Sequence, residues 1–217
     1  MSKDSATDGP VGFNQVPIGK TLDFFNSRPV APNALRVLFI GDSLTLHGPA
    51  PNLGDKYSGM AATSADKDYV HLVAAGLQSR SPKRPVEIFY STVNGKLPSM
   101  MAYLTAHPEL RPDVVIIQGG ESDPFDDQFK QVYSQILATY PTAKRVVISD
   151  WANTTKRDWE RFASTQASIP FIDATTISAD SSCSGDGGPY GVKGVAWHPN
   201  DLGMRRIADA VLKALAT

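Results

Sequence analysis

The residues that most directly suggest chemistry lie at 37–45, where an apolar run ends in Gly41-Asp42-Ser43. A serine on the turn after a buried parallel strand lies at the C-terminal edge of the sheet, where open α/β folds bind their ligands. A nucleophilic serine would be placed there. The alternative is an ordinary strand-ending turn, since Gly, Asp and Ser all favour turns.

A serine nucleophile requires a general base, and the chain contains four histidines: His47, His71, His107 and His198. His47 follows Ser43 by four residues and could face the same cleft. His71 lies among apolar residues of a predicted helix and His107 at a helix end, so structural roles are predicted for both. His198 lies in the loop that opens the last helix, where the following proline restricts the backbone. A loop restricted in this way would hold a general base in a fixed position.

The apolar pattern predicts strands that alternate with helices. The predicted strands are 35–40, 86–90, 114–117, 145–149 and 169–172. The predicted helices are 67–78, 99–105, 125–139, 159–167 and 200–216. This alternation indicates a single-domain α/β sandwich of three layers around a five-stranded parallel sheet, spanning 35–217 after an N-terminal arm at 1–34. Right-handed crossovers bring the C-terminal ends of the strands to one edge, so the turns that follow them are expected to meet.

Composition excludes several classes of function. The 217 residues carry a net charge of −1, so neither nucleic acid nor an anionic membrane surface is an expected partner. No apolar run is long enough to span a bilayer, and the absence of a visible signal peptide predicts a cytoplasmic location. Cys183 is the single cysteine, and no cluster of His, Asp or Glu has metal-ligand spacing. No metal or other cofactor is therefore predicted.

Four blocks in order resemble the GDSL/SGNH hydrolases. They are Gly41-Asp42-Ser43-Leu44, the glycine turn after the second strand, the glycine-rich turn after the third, and His198-Pro199 before the final helix. The resemblance implies a flavodoxin-like sheet and ester hydrolysis through an acyl-enzyme. In family terms Ser43 matches the nucleophile, Gly95 the oxyanion donor of the second block, and His198 the base.

The chain departs from the family pattern at two positions. The third block of the family reads Gly-x-Asn, whereas Gly120-Glu121-Ser122 places a serine at the asparagine position, with a shorter side chain for the oxyanion hole. The family has an aspartate three residues before the histidine, and here that residue is Val195. The orienting group for His198 is then the Val195 carbonyl or one of two other candidates, Asp173 and Asp201.

Four further side chains are candidates for a substrate rim at the same edge: Glu121, Asp123, Trp151 and Trp197. The alternatives are solvated turn residues for the two acids and core residues for the two tryptophans. The sequence thus predicts an esterase for a small acyl or acetyl ester, with carbohydrate O-acetyl esters among its candidates. A catalytically weakened relative that binds a carbohydrate or protein, and an acyltransferase, are the alternatives. The oligomeric state is left open.

Overall fold

The computed structural model describes residues 22–49, 56–185 and 193–216. Within them, a parallel five-stranded sheet has the strand order β2-β1-β3-β4-β5. The strands are β1 Leu35–Ile40, β2 Val86–Ser91, β3 Val114–Ile117, β4 Lys144–Ile148 and β5 Phe171–Ile172. This confirms the predicted single-domain α/β architecture, and the order is the flavodoxin-like one. The topological switch point therefore lies between β1 and β3.

Helices cover both faces of the sheet. The α-helices are α1 Leu22–Asn26, α2 Tyr69–Arg80, α3 Leu97–Ala106, α4 Asp127–Ala138, α5 Thr154–Gln166, α6 Thr175–Ser178, α7 Lys193–Ala196 and α8 Asp201–Ala214. Short 3-10 helices lie at Ala65–Lys67, Val93–Gly95, Pro108–Leu110 and Ser181–Cys183. Among the described residues no helix is both long and apolar enough to cross a bilayer.

The alternation of side chains along β1 divides the core into two parts. Val37 and Phe39 pack in the layer of α2 and α8, whereas Leu38 and Ile40 pack in the layer of α3, α4 and α5. Successive strand side chains point to opposite faces, so a strand covered on both sides must be apolar throughout. All four of these side chains are fully buried.

Several predicted boundaries differ from the structure by one to five residues, among them the starts of two helices and one strand. Helix α5 begins at Thr154 instead of 159, because the Asn153 side chain accepts hydrogen bonds from the N–H groups of Thr155 and Lys156 and caps the helix. Strand β5 begins at Phe171 instead of 169. Helix α2 begins at Tyr69, two residues later than predicted, where Asp68 caps it.

The segment before β1 packs on the domain from α1 onward. Leu22 is buried, and the ring of Phe25 makes edge contacts with Tyr57 and Tyr90. The Asn26 amide donates to the Tyr90 carbonyl at 2.8 Å. The second part of the predicted arm is therefore tied to the edge strand β2, and its first 21 residues lie outside the described part of the chain.

Candidate active site

Ser43 and His198 meet at the C-terminal edge of the sheet. Ser43 Oγ lies 2.8 Å from His198 Nε2, although the two residues are 155 positions apart in the chain. Ser43 is on the turn that follows β1, and His198 is in the loop between α7 and α8. Both are shielded from water, with 5% and 0% of their surface exposed. A hydroxyl and an imidazole in this geometry are the elements of nucleophilic catalysis.

The turn that carries Ser43 is held by close packing and by hydrogen bonds. A Cβ on Gly41 would lie 1.9 Å from Thr45 Oγ1 and 2.7 Å from the Gln118 carbonyl, so only glycine fits this close approach. The Ser43 carbonyl accepts from the N–H of Met60 at 2.9 Å. The turn therefore presents the serine hydroxyl in a fixed direction.

The loop that carries His198 is held mainly through its backbone. The N–H of His198 donates to the Val195 carbonyl at 3.0 Å, and its carbonyl accepts from Gly185 at 2.9 Å. One residue earlier, the Trp197 carbonyl accepts the indole N–H of Trp151 at 2.7 Å. The rings of Trp197 and His198 are tilted against each other with centroids 4.2 Å apart.

Burial favours the neutral form of the His198 ring. It lowers the pKa of His198 to about 3, although the backbone carbonyls of Val195 and Gly194 act in the opposite direction. The neighbouring His47 lowers the pKa further. The ring is therefore uncharged at neutral pH and can accept a proton from Ser43.

The two aspartates predicted as candidate orienting groups bind elsewhere. Asp173 Oδ2 accepts from Arg157 at 3.0 Å and also from Arg161. Both carboxylate oxygens of Asp201 accept from Thr63, at 2.7 Å each. Of the three predicted candidates, the Val195 carbonyl is the one that accepts from the His198 N–H, and it also raises the pKa of the His198 ring.

The predicted oxyanion donors differ in their surroundings. Within the described chain, no group accepts a hydrogen bond from the N–H of Ser43. Gly95 is buried at the end of a 3-10 turn with φ +55°, and its N–H reaches the Thr92 carbonyl at 3.3 Å, a long bond. Ser122 is exposed, and its carbonyl accepts from the Lys96 ammonium. No contact between described residues brings the Ser122 hydroxyl to Ser43.

Known structures of the same fold come from esterases and lipases. A protein described as a GDSL-like lipase, from Parabacteroides merdae, is 17% identical with a TM-score of 0.57, and the match covers 87% of this chain and 98% of the other. The chain has the GDSL/SGNH hydrolase fold. The acetylxylan esterase Axe2 of Geobacillus stearothermophilus is 19% identical with a TM-score of 0.53, over 87% and 96% of the two chains.

A third relative of the SGNH fold is longer than this chain. It is a two-domain esterase active on acetylated mannans, 16% identical with a TM-score of 0.61. The match covers 94% of this chain but 54% of that protein. No protein-family model matches the sequence, and no curated protein sequence does. These identities are low, so the likeness establishes the fold alone.

An open cleft of about 510 Å³ is lined by Glu121, Ala152, Asn153, Thr154 and Trp197, the last of which directly precedes His198. Glu121 and Trp197, two of the four rim candidates, thus line this cleft. Of the two alternatives for Trp151, the structure favours the core residue: only 1% of its surface is exposed, and its ring packs in the core layer of α2 and α8. Asp123 is half-buried and accepts from the N–H of Leu97 at the start of α3.

Sequence reasoning missed a group of carboxyls that extends from this cleft into the interior, which we call the acid cluster: Glu121, which lines the cleft, and the buried Asp42, Asp150 and Glu160. The Asp150 N–H donates to Glu160 Oε2 at 2.9 Å, and the ammonium of Lys156 lies 3.6 Å from Asp150 Oδ2. Burial raises the pKa of Asp42 to about 6 and that of Glu160 to about 8. The spacing of Lys156 and Glu160, one helical turn apart, was the available signal.

The other histidines have local partners. His71 Nδ1 lies 2.8 Å from Asp68 Oδ1, and His107 Nδ1 lies 2.8 Å from Glu109 Oε1. His47 Nδ1 lies 2.7 Å from the Gly48 carbonyl. In the described ranges no group of three His, Cys, Asp or Glu side chains is arranged to hold a metal ion.

Proposed function

We propose that the protein is a serine esterase for small acyl esters. The observation that carries this proposal is the 2.8 Å contact between Ser43 Oγ and the neutral imidazole of His198. It lies at the C-terminal edge of a parallel sheet, in a fold that the compared esterases share.

The reaction would follow the usual serine hydrolase course. His198 Nε2 takes the Ser43 hydroxyl proton while Oγ attacks the ester carbonyl, and it then protonates the departing alcohol. The backbone N–H groups of Ser43 and Gly95 stabilise the oxyanion, each donor contributing about 10²–10³ in rate. Water then attacks the acyl-enzyme by the same steps, with His198 again as the base, and the acid is released.

We further propose that the substrate is an O-acetylated carbohydrate. The cleft that Trp197 shares with the His198 loop also contains Asn153 and Thr154, so it combines an aromatic face with hydrogen-bonding groups such as a polyol requires. Axe2 is an acetylxylan esterase and the two-domain relative acts on acetylated mannans, which supports this substrate class.

The test compares ester hydrolysis by the parent with Ser43→Ala and His198→Ala, and with His107→Ala as the matched control. We expect kcat/KM for p-nitrophenyl acetate to fall at least about 10³-fold in the first two variants and to stay unchanged in the control. Equal, slow release by all four proteins would instead indicate a binding protein with the SGNH fold. Release of acetate from acetylated xylan or mannan fragments, compared with p-nitrophenyl butyrate, tests the substrate class.

A further inference from the structure

The main chain of Glu121 is tied to the turn that carries the serine. Glu121 lies in the turn after β3, and its N–H donates to Asp42 Oδ2 at 3.3 Å. Asp42 directly precedes Ser43. The Glu121 carbonyl accepts from the buried ammonium of Lys156 at 3.0 Å. Glu121 is therefore anchored to both the nucleophile turn and helix α5.

The side chain of Glu121 reaches in the other direction, toward the base. Its Oε1 accepts from the N–H of Trp151. The indole of Trp151 donates to the Trp197 carbonyl at 2.7 Å, and Trp197 directly precedes His198. A continuous series of hydrogen bonds thus runs from the residue before the serine to the residue before the histidine.

The carboxyl group of Glu121 is held on two sides. Burial, and next the negative charge of Asp150, raise the pKa of Glu121 well above its usual range, and the two side chains hydrogen-bond each other. Asp150 Oδ1 accepts from the N–H groups of Ala152 and Asn153, at 3.3 and 3.0 Å, which fix the position of its carboxyl group. In its protonated form, which the raised pKa favours, the Glu121 carboxyl donates to Asp150 and accepts from the N–H of Trp151.

This series of hydrogen bonds reaches the loop of His198, a histidine that has no aspartate three residues before it. Residue 195, three positions before the histidine, is a valine, so its side chain cannot hold the ring. We propose that Glu121 is a positioning residue that, through Trp151, keeps His198 aligned with Ser43. The inference rests on the proposed function, because the alignment has a consequence for rate only if the pair reacts.

The experiment uses three variants and two matched controls. Glu121→Gln keeps an acceptor for Trp151 and a donor for Asp150, and therefore mimics the protonated acid. Glu121→Ala removes both, and Trp151→Phe removes the indole donor and part of the ring but keeps the main-chain N–H that donates to Glu121. Glu109→Ala, at an exposed glutamate, and Trp159→Phe, at a tryptophan in the other core layer, are the controls.

Three readouts are measured on the purified full chain: kcat and KM for p-nitrophenyl acetate, the rate of labelling by a fluorophosphonate, and the NMR titration of the His198 ring. We expect Glu121→Ala and Trp151→Phe to lower kcat and the labelling rate about 10- to 100-fold with KM within threefold, because small misplacements of reacting groups are costly. The His198 pKa should rise toward its ordinary value. Glu121→Gln and both controls should stay within threefold of the parent.

Several results would overturn the inference. Parent-like kcat in Glu121→Ala would do so, as would a loss in Glu121→Gln equal to that in Glu121→Ala. A rise in KM alone would make Glu121 a substrate-binding residue instead. If Glu121→Ala fails to fold, Trp151→Phe decides. A parent that neither hydrolyses the ester nor reacts with the fluorophosphonate defeats the proposed function, whereas the His198 titration still decides the positioning role.

Discussion

At the level of single residues, the shielding of Ser43 and His198 from water determines what the pair can do. A neutral imidazole is ready to accept a proton, since no proton has to leave it first. The imidazolium that forms next is costly in a buried site, and carbonyl oxygens of Gly194 and Val195 are the groups that oppose this cost. A carbonyl dipole is weaker than a carboxylate, so we infer a slower acylation than in a triad with an aspartate.

The lowered pKa of His198 predicts an unusual acid limb of the pH–rate profile. An ordinary histidine becomes protonated near pH 6.5 and loses its function as a base, whereas a pKa of about 3 keeps His198 neutral far below that value. We expect kcat/KM for p-nitrophenyl acetate at pH 5 to stay within about twofold of its value at pH 7. If kcat/KM instead falls with a midpoint near pH 6.5 while the circular dichroism spectrum is unchanged, His198 is not a buried base that stays neutral.

At the level of secondary structure elements, a helix cap supports the turn of the nucleophile. Asp68, which is fully buried, caps α2 by accepting from the N–H of His71 at 2.8 Å. Its other oxygen accepts from the N–H of Gly59 at 3.1 Å, next to the Met60 N–H that donates to Ser43. One carboxylate thus joins the helix start to the segment that packs on the serine.

This double role predicts that Asp68→Ala is more destabilising than the loss of an ordinary cap. Loss of a cap costs about 1 kcal/mol, and the buried N–H of Gly59 left without an acceptor costs about 1–3 kcal/mol more. Asp126→Ala, which removes the exposed cap of α4 and its bond to Phe129, is the matched control. Urea unfolding should show a difference of at least about 1 kcal/mol between the two variants; equal losses would mean that the Gly59 contact adds nothing.

The same elements show what could be predicted from the sequence. Strands β1 and β3 could be predicted, because a strand that is buried on both faces must be a continuous apolar run. The start of α5 could not be predicted, since Lys156 and Glu160 are typical of a solvated segment until their partners from other turns are known. That Ser43 and His198 would meet at the sheet edge could be predicted from residue type and position, and their side chains lie 2.8 Å apart. The role of Trp151 could not be predicted, because a periodic pattern does not distinguish a core ring from one that lines a cleft.

At the level of the whole molecule, charge is unevenly distributed. The net charge is −1, yet the four carboxyls of the acid cluster share one region of the interior with one cation among the described residues, Lys156. Lys156 is only 3% exposed. A single ammonium cannot balance four carboxylates in a medium of low dielectric, so protons must remain on the acid cluster at neutral pH. Each proton lost as the pH rises leaves a buried negative charge with no counter-charge.

The acid cluster therefore predicts that stability falls as the pH rises. The pKa of Glu160 is raised from 4.5 to about 8 and that of Asp42 from 3.8 to about 6, so between these limits the folded chain binds more protons than the unfolded chain. Unfolding free energy then decreases with pH, since a difference of one in pKa corresponds to about 1.4 kcal/mol. The stabilisation is complete below about pH 4 and is lost progressively up to about pH 8.

Urea unfolding at intervals from pH 5 to pH 8.5 measures how the unfolding free energy changes with pH. The variant Glu160→Gln tests whether Glu160 causes that change. The variant keeps an oxygen for the Asp150 N–H but cannot ionise, so its unfolding free energy should fall less with pH than that of the parent. Asp127→Asn, at a fully exposed carboxyl in the first turn of α4, should leave the slope unchanged. Parallel curves for the parent and Glu160→Gln would mean that Glu160 is already ionised in the folded protein at neutral pH. Lys156 would then have to balance more than one buried carboxylate.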